Sequence, residues 1–366
     1  MSTTQSIRGG QTRAGWLFVS PTVLVLGTFL VVPVLMALWV SFTDWNGRGS
    51  PFSSGIGFVG VDNYRELVGE QGGLTRSDFM TSLRNNFYYV LLVVPLQTAL
   101  ALFLALVLNQ KMLKAVGFFR TAFYFPSVVS SVAISLVFLF LFTGSGVVNG
   151  MLGWIGIDGP TWFNDSRGLL HVLGDGLGLW NASQPPAGLV DGGVLGLTWW
   201  QWISGPSVAL SVIILLVVWT TTGTFMLMFL AALQDLPVEV EEAARIDGAG
   251  NWGVFRNVTL PHLKPTMLLV LTLGLIGTWQ VFDQVYVMTQ GGPGKTTLTP
   301  AYLSYFYAFE NQKWGVAAAM AFVLFLIIFV MASFQRWLFR DKDAIETRNK
   351  ARQVNALQSR KQGQPV

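Results

Sequence analysis

Residues 238–261 read V-E-V-E-E-A-A-R-I-D-G-A-G-N-W-G-V-F-R-N-V-T-L-P, the one long polar interruption between two strongly apolar runs in the second half of the chain. Pro237 is expected to open a helix here, because a first helical position has no use for an N–H donor. Glu239, Glu241 and Glu242 fall in its first turns, where carboxylates meet the positive end of the helix dipole. Asp247-Gly248 should end it, since glycine accepts the left-handed conformation of a C-terminal cap. Asn251 is placed to cap a second short helix carrying Trp252 and Phe255, closed by Leu260-Pro261. Ala243 and Ala244 are small, so another surface can approach this backbone closely. The stretch has the form of a docking peg.

The 366 residues around it are 52% hydrophobic and 11% charged, with a mean hydropathy of +0.52. Soluble domains carry roughly 25% charged residues, so this chain belongs in a bilayer. It has no cysteine, which excludes disulfides, thiolate metal sites and cysteine nucleophiles. His171 and His262 lie far apart and make no metal-ligand spacing, so no metal, cofactor or nucleic acid is expected. Six apolar runs, near residues 16–42, 86–108, 118–142, 207–233, 266–288 and 314–334, can each supply the roughly 20 helical residues that cross a hydrocarbon core. The first follows Arg8 and Arg13. It is too long for a signal-peptide core and lacks a small-residue cleavage site, so it reads as an uncleaved anchor.

The fold expected is therefore an all-α membrane protein with six transmembrane helices. Residues 1–15 form an N-terminal segment and 16–338 the membrane domain, with a loop insertion at 144–206 and the polar loop at 237–265; 339–366 form a basic tail. Arg8, Arg13, Lys111, Lys114, Arg120, Arg245, Arg256, Lys264 and the tail from Arg336 fall on one side of this topology. Arg48, Arg65, Arg76, Arg84, Arg167, Lys295 and Lys313 fall on the other. Basic residues concentrate on the cytoplasmic side, so the termini and the polar loop are expected to be cytoplasmic.

The pattern Glu242-Ala243-Ala244, three residues, Gly248, nine residues, Val258, one residue, Leu260-Pro261 resembles the EAA loop of binding-protein-dependent ABC importer permeases. Val258 departs from the family's usual isoleucine, a swap that keeps shape and polarity. The fuller run E-A-A-R-I-D-G-A with Phe255 and T-L-P is similar to the maltose and multiple-sugar permeases. The resemblance implies the type I importer fold, with Glu242, Ala243, Ala244, Asp247, Gly248, Ala249, Phe255, Leu260 and Pro261 coupling to an ATPase. It also implies two ATP-binding cassette subunits, a second homologous permease and an extracytoplasmic solute-binding protein. ATP hydrolysis would belong to the separate ATPase, so the chain itself is expected not to be an enzyme.

Other segments agree with that family. Gly60-Val61-Asp62-Asn63-Tyr64 resembles a sugar-permease segment and also reads as a turn before a short helix. Asn85-Asn86-Phe87 is expected to open the second span. Thr289, Gly291, Gly292 and Pro293 resemble the T-x-G-G-P signature after the fifth span. The following Gly-Lys-Thr imitates a phosphate-binding loop, but Thr289 stands where that loop needs glycine. The insertion is rich in glycine and tryptophan, including Trp154, Trp162, Trp180, Trp199, Trp200 and Trp202. Indoles favour the membrane interface, and contact with the binding protein is the alternative. The basic tail suits lipid headgroups or plain solvation.

Polar groups inside spans are functional candidates by default. Thr220, Thr221 and Thr224 in the fourth span offer hydroxyls. Gly277, Gln280, Val281 and Gln284 in the fifth share one helical face, with Trp279 or Phe282 as an aromatic surface for a sugar and Asp283 as the lone clear charge. The resemblance puts the solute site near Thr220, Thr221, Thr224, Gly277, Thr278 and Val281. The competing reading is that the threonines bond only their own helices and Asp283 pairs with a neighbour. The function expected is import of a di- or oligosaccharide, with glycerol phosphate or a polyol as the alternative solute. An ion-coupled secondary transporter is the alternative mechanism.

Overall fold

The computed structural model describes residues 4–69, 73–110, 114–179 and 186–339. Trp180 and the tail beyond residue 339 lie outside the described residues. The first span is α1 (Thr4–Leu26) and α2 (Val32–Val40), joined by a wide turn at Gly27–Val31. Then come α3 (Asp62–Val68), α4 (Gly73–Leu108), α5 (Val116–Val128) and α6 (Ser131–Leu141). The insertion holds α7 (Val147–Trp154), α8 (Leu169–Gly176) and α9 (Ala187–Val190). A small antiparallel hairpin, β1 (Gly193–Val194) and β2 (Leu197–Thr198), leads into α10 (Trp199–Ile203). The rest is α11 (Val208–Gln234), α12 (Val238–Ile246), α13 (Asn251–Val254), α14 (Leu260–Trp279), α15 (Asp283–Met288), α16 (Pro300–Tyr305) and α17 (Trp314–Leu338). Among the described residues, five stretches are long and apolar enough to cross a membrane, and the pair α5–α6 makes the sixth when counted as one bent span.

The fourth span, α11, is the pillar. Its apolar window is 61% buried, against 6% for the first span, which lies at the periphery. Ser207 caps it by accepting from Leu210 N–H at 3.0 Å. It packs on α4, α5 and α14. In lipid the apolar effect does not drive helices together, so close backbone approach and polar contacts must. Gly223 supplies the first: a Cβ there would overlap the Phe123 carbonyl oxygen of α5. Gly274 of α14 likewise leaves room for the Gln97 amide of α4.

Several boundaries differ from those expected. The second span begins at Gly73, so Asn85 and Asn86 lie within it and do not open it. Its polar early turns stay helical because Phe79 and Met80 are buried in the core cluster that includes Leu67, Leu303 and Val316. The third span is no straight helix: α5 and α6 meet at 96°, with Val129 and Ser130 extended between them. Two β-branched residues followed by two serines favour an end over a continuation. The fifth span breaks after Trp279, so the single helical face expected of Gly277, Gln280, Val281 and Gln284 does not exist.

At the polar loop, Pro237 is the cap before α12 (ψ 130°) and not its first helical residue. Gly248 has φ +86°, as the left-handed cap requires. Gly248 N–H donates to the Arg245 carbonyl and Ala249 N–H to the Ala244 carbonyl, the paired bonds of a Schellman motif. Asn251 lies inside α13, with Gly250 in the cap position. Leu260-Pro261 closes nothing: α13 runs into α14 through a wide turn at Phe255–Thr259. There Leu260 N–H reaches the Phe255 carbonyl five residues back, and the expanded turn accommodates Pro261, which has no N–H to give.

The sequence segments that resembled the family hold loops onto spans. Asn63 donates to the carbonyls of Ser41 (2.9 Å) and Thr43 (2.8 Å) at the end of the first span. Asn85 donates to the carbonyls of Lys295 and Leu298, and the Lys295 ammonium pairs with Asp78 at 2.6 Å, so the phosphate-loop imitation is tied to α4. In the insertion, Trp202 donates to the Val194 carbonyl and meets Phe87 edge-on, while Trp200 stacks on His171. These two indoles are half-buried against protein.

Gly223→Ala is expected to push α5 off α11 at a cost of about 1–3 kcal/mol, as overpacking does. Gly277→Ala, where a Cβ meets nothing within 4 Å, should leave stability unchanged. Thermal unfolding of both variants in detergent decides it, and equal melting temperatures would remove the close-approach argument.

Candidate functional site

Two adjoining cavities of about 250 and 260 Å³ open where the broken spans face the pillar. Thr221, Phe225 and Gln284 line both. Thr220 and Thr224 line the first, with Ser127 and Ser131 from the bent third span. Gly277, Thr278, Gln280, Val281 and Asp283 line the second, with Tyr89 and Gln97 of α4 and Phe282. Thr220, Thr221, Thr224, Gly277, Thr278, Gln280, Val281 and Asp283 thus each border one of the two, whereas Trp279 borders neither.

Their polar groups are unequal. Thr220 donates to the Val217 carbonyl and Thr278 to the Gly274 carbonyl at 2.7 Å, so these two hydroxyl protons serve their own helices, while the one proton of Thr221 is shared between the Val217 carbonyl and Gln97 Oε1. Thr278 is also buried. Thr224 and Gln280 are exposed to the cavities, as is Asp283 at the N-terminus of α15, where the dipole favours a carboxylate. Asp283 accepts a short hydrogen bond from Ser131, which ties the break in the fifth span to the bend in the third. Trp279 is buried in another cluster, with Val90, Leu324 and Ile328, and cannot serve as the aromatic surface; Phe282 lines the cavity instead.

The break itself is held open by residues that sequence reading did not assign to it. A helix end inside a bilayer leaves carbonyls that water cannot satisfy. Asn86 donates to the Trp279 carbonyl at 3.1 Å and Thr299 to the Val281 carbonyl at 3.1 Å. Gln97 sits fully inside α4 with one end of its amide on Thr221 (2.6 Å) and its nitrogen without a protein partner. A lone amide in an apolar run was the signal available for Gln97, by the same rule that singled out the threonines.

Among the described residues the lining carries no lysine or arginine. Apart from the Asp283 carboxylate its donors and acceptors are hydroxyls, amides and main chain, which suit uncharged polyhydroxylated solutes. A larger groove of about 850 Å³ runs between α2 and the α16–α17 pair. It is bordered by residues such as Pro33, Ala37, Trp45, Phe309 and Trp314, and offers too few polar partners for such a solute.

At the other end of α11, the polar loop presents its apolar side chains outward. Ile246 is 86% and Trp252 70% exposed, and Val238 and Val240 are exposed beside them. No residue of α12 is buried. Exposed apolar side chains on a capped helix are candidates for contact with another surface. No group of three or more potential metal ligands occurs among the described residues.

Residues 87–343 match the family model described as binding-protein-dependent transport system inner membrane component. The chain is 32% identical over 331 residues to a lactose transport system permease protein of Rhizobium radiobacter, covering 90% of this chain and 94% of that one. It is 29% identical to a multiple sugar-binding transport system permease protein of Streptococcus mutans, covering 88% and 93%. Among solved structures, a chain of a bacterial ABC transporter involved in import of the acidic polysaccharide alginate superposes with a TM-score of 0.66 at 20% identity. That likeness covers 90% of this chain and 97% of that one, and shows the shared fold.

Replacing Asn86 by leucine strands the Trp279 carbonyl in a dry setting, and should cost about 1–3 kcal/mol. Chemical unfolding of the Asn86→Leu protein would read the loss; a wild-type midpoint would mean that the break needs no donor from α4.

Proposed function

The chain belongs to the binding-protein-dependent transport system inner membrane components, and from that premise we propose that it forms half of the translocation pathway of an ATP-driven importer for an uncharged di- or oligosaccharide. The observation that carries this reading is the pair of cavities at the breaks of two spans, lined by neutral hydrogen-bonding groups apart from Asp283. Relatives named for lactose and multiple-sugar transport support the solute class. A phosphate-bearing solute would want arginine or lysine in the lining, which argues against the glycerol phosphate alternative. Each cavity is smaller than the roughly 300–1,000 Å³ usual for a ligand pocket, so a homologous second permease would complete the site.

In this reading α12 and α13 face the cytoplasm and seat in a cleft of one of two ATP-binding cassette subunits. Glu242, Ala243, Ala244, Asp247, Gly248 and Ala249 form the seated helix and its cap, while Phe255, Leu260 and Pro261 form the expanded turn behind it. Closure of the ATPase would pull this segment, and hydrolysis would reset it. The helix from Asn251 to Trp279 would carry the movement to the cavities. An extracytoplasmic binding protein would deliver the solute. In support, a solved bacterial alginate ABC transporter of similar fold is in complex with an alginate pentasaccharide-bound periplasmic protein. The termini are assigned to the cytoplasm by the distribution of basic residues, and the tail from residue 339 to lipid headgroups or solvent. Against an ion-coupled mechanism, Asp283 is the lone charged group lining the cavities.

Two variants test the halves of the proposal. Gly248→Val forces a β-branched residue to positive φ, at a cost of about 1–2 kcal/mol, so ATPase activity should lose its dependence on loaded binding protein or the ATPase should dissociate. Normal transport by this variant would sink the docking role. In the cavity, Gln280→Leu and Thr224→Val should weaken uptake affinity up to about tenfold per hydrogen bond lost. Thr278→Val should do less, since its hydroxyl already serves Gly274. Unchanged uptake in all three would move the solute site elsewhere.

A further inference from the structure

A third cavity, of about 250 Å³, lies at the opposite end of the pillar from α12. Its walls come from four segments: Arg84 of α4, Ser166 and Arg167 before α8, His171 and Trp200 across α8 and α10, and Ser204, Ser207 and Thr296 around the start of α11. The distance from there to Gln234 is the length of α11, about 40 Å at 1.5 Å per residue. The solute cavities border none of these residues.

Two side chains in this cavity are more than nine-tenths buried and incompletely used. Arg84 is 9% exposed; its guanidinium donates to the Asn85 side-chain oxygen at 2.9 Å and, at a long 3.4 Å, to the Gln201 carbonyl. Its Nε has no partner, and no carboxylate pairs with it among the described residues. A guanidinium has five N–H donors and no acceptor, so an arginine buried this way lacks both counter-charge and hydrogen-bond acceptors. His171 is 8% exposed, stacked on Trp200 at 3.8 Å, and its Nε2 has no partner either. Arg167 is by contrast satisfied: Asp165 holds it through Nη2 to Oδ2 at 2.7 Å and through Nε to Oδ1 at 3.0 Å and Oδ2 at 3.2 Å. The start of the 27-residue α11 adds the positive end of its dipole beside Ser207.

We propose that this cavity binds a small carboxylate anion, gripped by Arg84 and bordered by Ser166, with Ser204 and Thr296 keeping their hydroxyl protons on the Gln201 and Pro293 carbonyls. The planar fork of arginine matches a carboxylate in two parallel hydrogen bonds. Once seated, the anion joins α4, α8, α10 and the start of α11, and so fastens the insertion to the membrane domain. Burial holds the His171 imidazole below its ordinary pKa, with the Arg84 charge acting in the same direction and the Trp200 backbone opposing. The other titratable groups about it are Tyr88 on α4, the Asp165–Arg167 pair and Asp175 one turn along α8. A negative charge in the cavity favours the imidazolium, so the anion raises the His171 pKa. By linkage, binding then tightens as pH falls through the pKa of the occupied site.

The chain has only two histidines, so imidazole-labelled protein reports the cavity directly, with His262 as an internal reference. The full chain in detergent is titrated with acetate, and separately with chloride at matched ionic strength, while the ring signals are followed. The expected result is that acetate moves the His171 signals saturably and raises its pKa, leaving His262 in place. Chloride should have little effect, and Arg84→Gln should weaken acetate about tenfold to a hundredfold, the loss of a hydrogen bond to a charged group. Absence of a His171 response to acetate, or an equal response to chloride, would overturn the proposal. The wild-type titration decides by itself if Arg84→Gln does not fold.

Discussion

A bilayer core contains no water to satisfy a broken helix, and the arrangement of this protein follows from that constraint. The third and fifth spans are irregular, and each irregularity in them is tied to protein. The wide turn before α14 lets Leu260 reach the Phe255 carbonyl. The break after Trp279 is covered by Asn86 and Thr299, and the bend at Ser131 is bonded to Asp283. Irregular backbone at membrane depth is tolerated only where protein or a polar cavity receives it. Here the two larger irregularities face each other, and the cavities lie between them. Polar space in an otherwise apolar bundle is thus a product of the breaks.

The same constraint explains the pillar. With no apolar force pulling helices together in lipid, α11 relies on the contact of Gly223 with the Phe123 carbonyl and on the Thr221–Gln97 hydrogen bond. Gln97 in turn fits only because position 274 has no side chain. A few small residues and one amide fix how α4, α11 and α14 meet, and therefore fix the cavity walls.

Between the exposed loop and the cavities runs one continuous piece of helix, from Asn251 through the expanded turn to Trp279. At 1.5 Å per residue this is about 40 Å of rod. Gly250, two residues beyond the α12 cap, sets its outer end and the break before Asp283 its inner end. A force on the proposed docking face would therefore arrive at the place where the backbone is least regular.

Sequence alone determined what depends on composition and local order. Six apolar runs, low charge and the E-A-A…G…L-P spacing gave the all-helical fold, its family and a capped helix with glycine at positive φ, because such features are written in neighbouring residues. The candidate solute residues were also legible, since a hydroxyl or amide inside an apolar run stands out by its cost. Where helices break was not legible. Residues 266–288 look like one span in hydropathy, and only the donors brought by Asn86 and Thr299, distant in sequence, allow the chain to leave the helix at Trp279. Tertiary structure likewise decided that Trp279 is core while Phe282 faces the cavity, and that Thr278 serves its own helix while Thr224 and Gln280 stand open. Those outcomes depend on which helices come together, and no local pattern of residues contains that information.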